Sequence, residues 1–145
     1  MRTRIPVTAS ALALVIATAT PAHADEPVDC VLNLDTGALT CAPGAVASLT
    51  TTYTLARLYT ASGYGGSSLT LEASTPCDTN SDVDHSWASL PSAFNDTVSS
   101  FTGYNNCQVK LFEHASYGGS SVGPATSMSY VGDAMNDEAS SVQLS

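Results

Sequence analysis

The hexapeptide Asn-Asp-Thr-Val-Ser-Ser at residues 95–100 recurs near the end of the chain as Asn-Asp-Glu-Ala-Ser-Ser at residues 136–141. A second pattern precedes each copy, at residues 59–66 and 112–119: an aromatic residue, four residues of any type, a tyrosine, one further residue and a glycine. Two different motifs that occur twice in the same order indicate a duplicated structural unit. The sequence therefore predicts a protein built from two equivalent motifs.

Each hexapeptide concentrates oxygen atoms that could bind a metal ion. It offers amide, carboxylate, hydroxyl and main-chain carbonyl oxygens within six residues, and it contains no sulfur or imidazole ligand. Hard oxygen ligands in a loop suit calcium better than zinc or copper. The alternative is a simple Asn-Asp turn whose serine side chains hydrogen-bond to the backbone, and this would explain a single copy. Two copies, each following a matching hairpin motif in the sequence, favour calcium binding.

The aromatic–glycine pattern predicts a folded hairpin rather than a binding site. Two aromatic rings five positions apart can meet across such a hairpin. A glycine two positions later can adopt a backbone angle that other residues avoid. Gly66 and Gly119 are therefore expected to serve the fold.

Residues 1–24 have the pattern of a secretory signal peptide. Arg2 and Arg4 precede an apolar run at residues 11–17, and Ala-His-Ala at residues 22–24 is a small-residue cleavage site. The apolar run is too short to span a membrane. We therefore expect a secreted protein, cleaved after Ala24, whose mature chain of 121 residues (145 minus 24) forms one domain with its own core.

The charge of the mature chain restricts its partners. Only Arg57 and Lys110 remain of four basic residues, whereas all 13 acidic residues follow residue 24, so the formal charge is 2 minus 13, or −11. Such a chain is repelled by nucleic acid and by anionic membrane surfaces. We therefore expect neither partner, and we expect the protein to attract cations.

The four cysteines of the exported chain predict two disulfides. Cys30 and Cys41 bracket a segment whose Asp-Thr-Gly centre at residues 35–37 is typical of a hairpin turn, and Cys77 and Cys107 flank the longest loop of the first motif. Of the three possible pairings we favour Cys30–Cys41 and Cys77–Cys107, which would stabilise the fold by roughly 3 and 4 kcal/mol. A zinc site is the weaker alternative, because no Cys-x-x-Cys spacing exists.

Short stretches of alternating apolar and polar residues predict β-strands in the mature chain. Only residues 85–90 are expected to form one helical turn, and residues 25–52 form a lead-in with its own hairpin. The fold class is therefore predicted as an all-β sandwich of short antiparallel strands. The positions expected to face inward are Ala56, Leu58, Leu69, Leu71, Val109, Leu111, Met128, Tyr130, Val142 and Leu144.

The two motifs differ in length. From the first aromatic residue to the hexapeptide, the first motif spans 36 positions (59 to 95) and the second 24 (112 to 136), so the first carries twelve extra residues. That insertion contains Cys77, Asp82, Asp84 and Trp87. Long loops can be functional or can be tolerated decoration, and the second reading is the simpler one here.

Together these motifs resemble the βγ-crystallin superfamily, in its microbial calcium-binding branch. The resemblance covers about residues 53–145 and implies two Greek-key motifs, at about 53–105 and 106–145, with the hairpin lead-in as an N-terminal extension. It also implies up to two calcium ions that act mainly as structural stabilisers.

The resemblance also implies which residues bind calcium. In each hexapeptide the third residue would supply a main-chain carbonyl and the fifth a hydroxyl, while the second would supply its carboxylate to the site of the other motif. The residue after the first aromatic would lend a carbonyl, although its assignment to either site stays open. Ser100 and Ser141 would instead pin the hairpins. The implied ligands are Thr60, Asp96, Thr97, Ser99, Glu113, Asp137, Glu138 and Ser140.

Other functions receive less support from the sequence. Secretion with two disulfides is also similar to bacterial metalloproteinase inhibitors and killer-toxin-like proteins of the same fold, so the alternative function is inhibition of a secreted metalloprotease or a killer-toxin-like antimicrobial activity. An enzyme is not expected, because no Gly-x-Ser-x-Gly or similar nucleophile arrangement is present. The Asp-Val-Asp-His segment at residues 82–85 is explained more simply as a solvated loop than as a catalytic cluster. We expect a monomer.

Overall fold

A computed structural model of the protein describes residues 26–43 and 51–145. The expected signal peptide at residues 1–24 lies outside these residues. Ten strands follow one another: β1 (Val28–Asn33), β2 (Leu39–Pro43), β3 (Tyr53–Ala61), β4 (Gly65–Ala73), β5 (His85–Trp87), β6 (Ser100–Gly103), β7 (Val109–His114), β8 (Gly118–Ala125), β9 (Ser127–Met128) and β10 (Ser141–Leu144).

The strands form two sheets. The first has six strands in the order β2-β1-β4-β3-β6-β9, and the second has four in the order β5-β10-β7-β8. Each sheet contains the hairpin of one motif, β3–β4 or β7–β8, beside the last strand of the same motif, β6 or β10. The two equivalent motifs predicted from the sequence therefore each provide the centre of one sheet.

The third strand of each motif crosses to the other sheet. β5 belongs to the first motif but pairs antiparallel with β10 of the second. β9 belongs to the second motif and pairs antiparallel with β6 of the first. This reciprocal exchange makes each motif a Greek key and leaves neither sheet complete without strands from both motifs. The predicted all-β fold with two Greek-key motifs is confirmed.

The core lies between the sheets and contains most of the residues that alternation placed there. Ala56, Leu58, Leu69, Leu71, Val109, Leu111, Val142 and Leu144 are fully buried. The expectation is confirmed for Met128, which packs against the core, and is wrong for Tyr130. Only Met128 belongs to a strand, the two-residue β9, and it is half-buried, whereas Tyr130 lies beyond that strand and is 42% exposed. A strand this short buries one position of the alternating pattern and not the next.

The N-terminal hairpin extends the first sheet. β1 and β2 pair antiparallel with Cys30 opposite Cys41, and these two cysteines form a disulfide. β1 also pairs in parallel with β4, with Asp29 opposite Ser68. The lead-in therefore covers an edge of the sandwich that β4 would otherwise expose.

The twelve-residue insertion is tied to the second motif at two places. Cys77 forms a disulfide with Cys107, which is the second pairing favoured from the sequence. Residues 85–87, expected to begin a helical turn, instead form β5, so that expectation is wrong: the free edge of β10 supplies hydrogen-bond partners that override a weak local preference. Within residues 26–43 and 51–145, no helix is long and apolar enough to cross a lipid bilayer.

Candidate metal centre

Each Greek key begins with a hairpin that is folded over an aromatic pair. The rings of Tyr59 and Tyr64 meet edge to face with centroids 5.8 Å apart, and those of Phe112 and Tyr117 meet in the same way at 5.8 Å. Tyr64 and Tyr117 both adopt positive φ angles, 64° and 65°. The ring contact expected from the repeated spacing is therefore present in both motifs.

The last serine of each hexapeptide pins the folded hairpin. The hydroxyl of Ser100 accepts a hydrogen bond from the Tyr64 N–H at 3.0 Å and donates one to the Ala61 carbonyl at 2.6 Å. Ser141 makes the equivalent bonds at the same two distances, with the Tyr117 N–H and the His114 carbonyl. Both serines are fully buried, so their hydroxyls are committed to the fold.

The residue after the first aromatic caps its hairpin through its side chain. Thr60 Oγ1 accepts a 2.9 Å hydrogen bond from the Ser67 N–H, and Glu113 Oε2 accepts one of 2.9 Å from the Ser120 N–H. The bond from the Ser120 amide lowers the pKa of Glu113 below its usual value. Thr60 Oγ1 and Glu113 Oε2 therefore perform the same task, and each residue also has a main-chain carbonyl that could bind an ion.

Gly66 is required by the same cap. Its φ is +76°, and a Cβ placed on it would lie 2.5 Å from Thr60 Oγ1. Gly119 has φ +74°, and a Cβ there would lie 3.0 Å from Glu113 Oε2. The two glycines therefore serve the fold, as expected from the sequence.

A matched turn precedes each hexapeptide and positions it. The N–H groups of Phe94 and Asn95 donate to the Pro91 carbonyl, and those of Met135 and Asn136 donate to the Gly132 carbonyl. Sequence reasoning missed this part of the repeat. Three apolar positions are buried in both motifs: five residues before the asparagine, directly before it, and at the fourth position of the hexapeptide. This shared spacing could have revealed the matched turn. These residues are Leu90, Phe94 and Val98 in the first motif and Val131, Met135 and Ala139 in the second.

The two hexapeptides bind each other through their backbones. The Asp96 N–H donates to the Ala139 carbonyl at 3.0 Å, and the Asp137 N–H donates to the Val98 carbonyl at 3.3 Å. Both aspartates have positive φ angles, 55° for Asp96 and 58° for Asp137. A non-glycine residue in this region is uncommon, and its occurrence at the same position of both copies shows that the two loops share one conformation.

Each aspartate carboxylate lies beside the serine of the opposite hexapeptide. The Ser140 hydroxyl donates a hydrogen bond of 2.9 Å to Asp96 Oδ1. The Ser99 hydroxyl lies 3.4 Å from Asp137 Oδ1 and 3.3 Å from the Thr60 carbonyl oxygen. Each aspartate side chain therefore reaches into the other motif, just as the third strand of each motif joins the sheet of the other motif.

Comparisons with known proteins gave matches among solved structures. No protein-family model matches the sequence, and no curated protein matches it either. Solved βγ-crystallin domains do match. One from Clostridium beijerinckii is 21% identical, with a TM-score of 0.48, and the match covers 62% of this chain and 95% of that one. One from Flavobacterium johnsoniae is 19% identical, with a TM-score of 0.45 and coverage of 63% and 93%.

A third solved structure comes from work on the evolution of the eye lens βγ-crystallin domain fold. It is 17% identical, with a TM-score of 0.49, and the match covers 70% of this chain and 93% of that one. At such identities the likeness concerns the fold alone, and the exchanged third strands described above carry the assignment. The chain has the βγ-crystallin fold.

The resemblance to βγ-crystallins divides the eight implied ligands into two groups, which we call site 1 and site 2. Site 1 comprises the Ser99 hydroxyl, the Asp137 carboxylate and the carbonyls of Thr60 and Thr97. Site 2 comprises the Ser140 hydroxyl, the Asp96 carboxylate and the carbonyls of Glu113 and Glu138. Measured contacts join Ser99 with Thr60 and Asp137 in site 1, and Ser140 with Asp96 in site 2.

Strand register indicates which site each hairpin carbonyl, that of Thr60 or that of Glu113, belongs to. Tyr59 lies opposite Ser100 in one sheet, and Phe112 lies opposite Ser141 in the other. The Ser99 and Ser140 N–H groups donate to the carbonyls of Tyr59 and Phe112, at 2.9 and 2.8 Å. One residue further along, Thr60 therefore faces Ser99 and Glu113 faces Ser140. The described hydrogen bonds of Thr97 and Glu138 stay within their own loops, to Ala93 and Met135.

The donor atoms of site 1 suit a calcium ion. Calcium takes oxygen ligands at about 2.3–2.6 Å, which places neighbouring ligand atoms about 3–3.5 Å apart. The Ser99 hydroxyl meets its two oxygen neighbours at 3.3 and 3.4 Å, and in site 2 the Ser140 hydroxyl meets Asp96 Oδ1 at 2.9 Å. Ser99 and Ser140 are 5% and 9% exposed, and both aspartates are exposed. The carboxylates therefore remain accessible to an ion from solvent.

A zinc-type cluster is not present in the part of the chain that the structure describes. Nowhere in residues 26–43 and 51–145 do three histidine, cysteine, aspartate or glutamate side chains come together in a position to hold a metal ion, and all four cysteines are in disulfides. Sites 1 and 2 each rely on one carboxylate with neutral oxygens, which is a donor set for a hard cation.

Proposed function

We propose that this protein is a secreted, calcium-binding βγ-crystallin domain that holds up to two calcium ions. The observation that carries the proposal is the reciprocal placement of the hexapeptide side chains, with Asp137 beside Ser99 and Asp96 beside Ser140. Each motif thereby contributes one carboxylate to the other motif's hydroxyl and carbonyl oxygens. Such an all-oxygen donor set is the kind that calcium prefers.

The residues of sites 1 and 2 would have separate tasks. Asp96 and Asp137 provide the negative charge that offsets the removal of water from the ion, whereas the hydroxyls and carbonyls complete its coordination without added charge. The hydroxyls of Ser100 and Ser141 hold the two hairpins, whose carbonyls are implied ligands, against the hexapeptides. The ligands are therefore held in place by strands on both sides.

Calcium would stabilise the fold rather than switch it. The loops of both sites are already joined by hydrogen bonds between Asp96 and Ala139 and between Asp137 and Val98, so an ion adds a bond to an existing contact between motifs. At a calcium concentration about a hundredfold above the Kd, each site would add about 2.7 kcal/mol to the free energy of unfolding.

An extracellular location fits this role. The disulfides Cys30–Cys41 and Cys77–Cys107 are characteristic of proteins that fold in an oxidising compartment, where calcium is also abundant. The signal peptide and cleavage after Ala24 remain expectations from the sequence.

Thermal unfolding of the secreted protein tests the proposal. Millimolar calcium should raise the Tm by roughly 10 °C or more relative to the protein in EDTA, because two occupied sites add several kcal/mol. Magnesium at the same concentration should do much less, since it requires a tighter octahedral arrangement. The double variant Ser99→Ala, Ser140→Ala is the matched control and should lose most of the shift. An identical Tm with calcium and with EDTA would refute the proposal.

Inhibition of a secreted metalloprotease stays a prediction from the sequence. It is tested separately, by adding stoichiometric amounts of the protein to a thermolysin-like protease. Inhibition that persists in the Ser99→Ala, Ser140→Ala variant would assign that activity to another surface.

A further inference from the structure

We propose that the two calcium sites are unequal, and that site 2 binds calcium more tightly than site 1 because Glu113 and Glu138 place extra negative charge around it. This inference rests on the proposed function. At the two matched positions, site 1 has the uncharged residues Thr60 and Thr97. The two sites thus have the same types of ligand atom. The residues that supply the main-chain carbonyls, however, have charged side chains at site 2 and uncharged ones at site 1.

The charge of Glu113 is held in a fixed place. Its Oε2 accepts the Ser120 N–H at 2.9 Å, just as Thr60 Oγ1 accepts the Ser67 N–H at 2.9 Å. The two side chains therefore perform the same structural task at equivalent points of their hairpins. Only the Glu113 side chain adds a negative charge there. The main-chain carbonyl of the same residue faces Ser140.

Glu138 adds a second charge within the loop of site 2. It is the third residue of its hexapeptide, the position whose carbonyl completes the site, and it is exposed. Thr97 holds the same position in the first hexapeptide and is uncharged. A side chain on a ligand residue lies within about one Debye length of the ion, roughly 8–10 Å at moderate salt, so its charge is only partly screened.

The basic residues do not cancel this difference. Arg57 lies two positions before Tyr59, and Lys110 lies two positions before Phe112, so the only two cations that follow residue 24 occupy equivalent places in the two motifs. The Lys110 ammonium lies 5.1 Å from the centre of the Phe112 ring.

The expected difference in affinity is about tenfold at low salt. Two carboxylates within about one Debye length of a divalent ion, in a largely solvated setting, contribute a Coulomb attraction of this size after partial screening. Because the effect acts through solvent-exposed charges, raising the ionic strength to about 1 M should reduce the ratio of the two affinities. A difference caused by ligand geometry would not depend on salt in this way.

Single-site variants allow each site to be measured alone. Ser99→Arg fills site 1 with a cation and leaves site 2, and Ser140→Arg does the reverse, so both carry the same added charge. Calcium titration calorimetry gives the Kd of each. The charge is then removed in each background by Glu113→Gln with Glu138→Gln, which keeps side-chain shape and an acceptor for the Ser120 N–H. In the reciprocal variant, Thr60→Glu with Thr97→Glu adds the charges to site 1.

We expect Ser99→Arg to bind calcium about tenfold more tightly than Ser140→Arg. The glutamine changes should bring the two Kd values within about threefold, and the Thr→Glu changes should tighten site 1. Equal affinities, a tighter site 1, or a difference that survives the glutamine changes would overturn the inference while leaving calcium binding intact. If the unmodified protein gives no calcium-binding heat, the proposed function fails as well, so the two failures are distinguishable.

Discussion

Ser140 donates a 2.9 Å hydrogen bond to the carboxylate of Asp96, which lies 44 positions earlier in the chain and in the other Greek key. The equivalent pair, Ser99 and Asp137, is separated by 38 positions and 3.4 Å. Neither motif therefore contains all the side chains of its own site. An aspartate substitution in one hexapeptide should therefore have its main effect on the site that contains the serine of the other.

Asp137→Ala should weaken site 1 more than site 2. It removes the carboxylate that contacts Ser99, whereas the Ser140 hydroxyl and Asp96 stay in place. Losing a charged ligand from an oxygen-lined site should raise its Kd at least tenfold. Calcium titration calorimetry, with Asp96→Ala as the mirror-image control, measures this.

The double variant Asp137→Ala, Ser99→Arg separates exchanged from local binding. If the carboxylates are exchanged, both changes affect site 1 and the protein still binds one ion. If each hexapeptide binds its own ion, both sites are damaged and none remains. A stoichiometry near zero would therefore contradict the exchange.

The neighbouring serines Ser99 and Ser100 should have opposite effects. Ser100→Ala removes the two hydrogen bonds of a buried hydroxyl, with the Tyr64 N–H and the Ala61 carbonyl, which should cost about 1–3 kcal/mol of unfolding free energy. It should still bind two ions. Ser99→Ala should lose calcium at site 1 but change stability in EDTA by less than about 1 kcal/mol. Urea unfolding in EDTA and calorimetry together test the pair, and a reversed pattern would show that the roles of the serines are misassigned.

The duplication explains how much of this could be read from the sequence. The matched spacing of Tyr59 and Tyr64 with Phe112 and Tyr117 predicted the folded hairpins, because a ring contact needs only local chain geometry. The pairing of Cys30 with Cys41 followed from the turn between them. The parallel pairing of β1 with β4 was not predicted, since the alternation of a strand does not specify its neighbour.

The exchanged strands β5 and β9 could not be predicted from the sequence for a related reason. β5 and β9 have three and two residues, which is too short for a periodic pattern. The local sequence therefore predicts a helical turn at residues 85–87 and a core position for Tyr130, and both predictions are wrong. The exchange of Asp96 and Asp137 between sites was implied by the family resemblance and not by spacing. Only the three-dimensional register places Ser99 beside Thr60 and Ser140 beside Glu113.

Gly66→Ala should destabilise the protein more than Gly63→Ala. Both glycines have positive φ angles, +76° and +69°, but a Cβ on Gly66 meets Thr60 Oγ1 at 2.5 Å while nothing lies within 4 Å of one on Gly63. Backbone strain alone should cost about 1 kcal/mol at Gly63. The displaced cap should bring the loss at Gly66 to about 2–3 kcal/mol. Equal losses in urea unfolding would show that the clash relaxes without cost.

Glu113 should make stability depend on pH in the acidic range. Its pKa is lowered by the hydrogen bond from the Ser120 amide, so the folded state binds this proton less readily than the unfolded state. The contribution is therefore complete above the unfolded pKa, near 4.3, and is lost as the pH falls through the lower folded value. The difference in stability between the unmodified protein and Glu113→Gln should shrink below about pH 4. A difference that is constant from pH 3 to 7 would contradict this role.

Calcium titration calorimetry on the mature chain is the most direct test of the central claim. Two ions per chain should bind, with Kd values between micromolar and millimolar as for other oxygen-lined sites, and the Ser99→Arg, Ser140→Arg variant should bind none. No binding heat in the unmodified protein at millimolar calcium, together with an unchanged Tm, would contradict the claim that these exchanged serine–aspartate pairs form calcium sites.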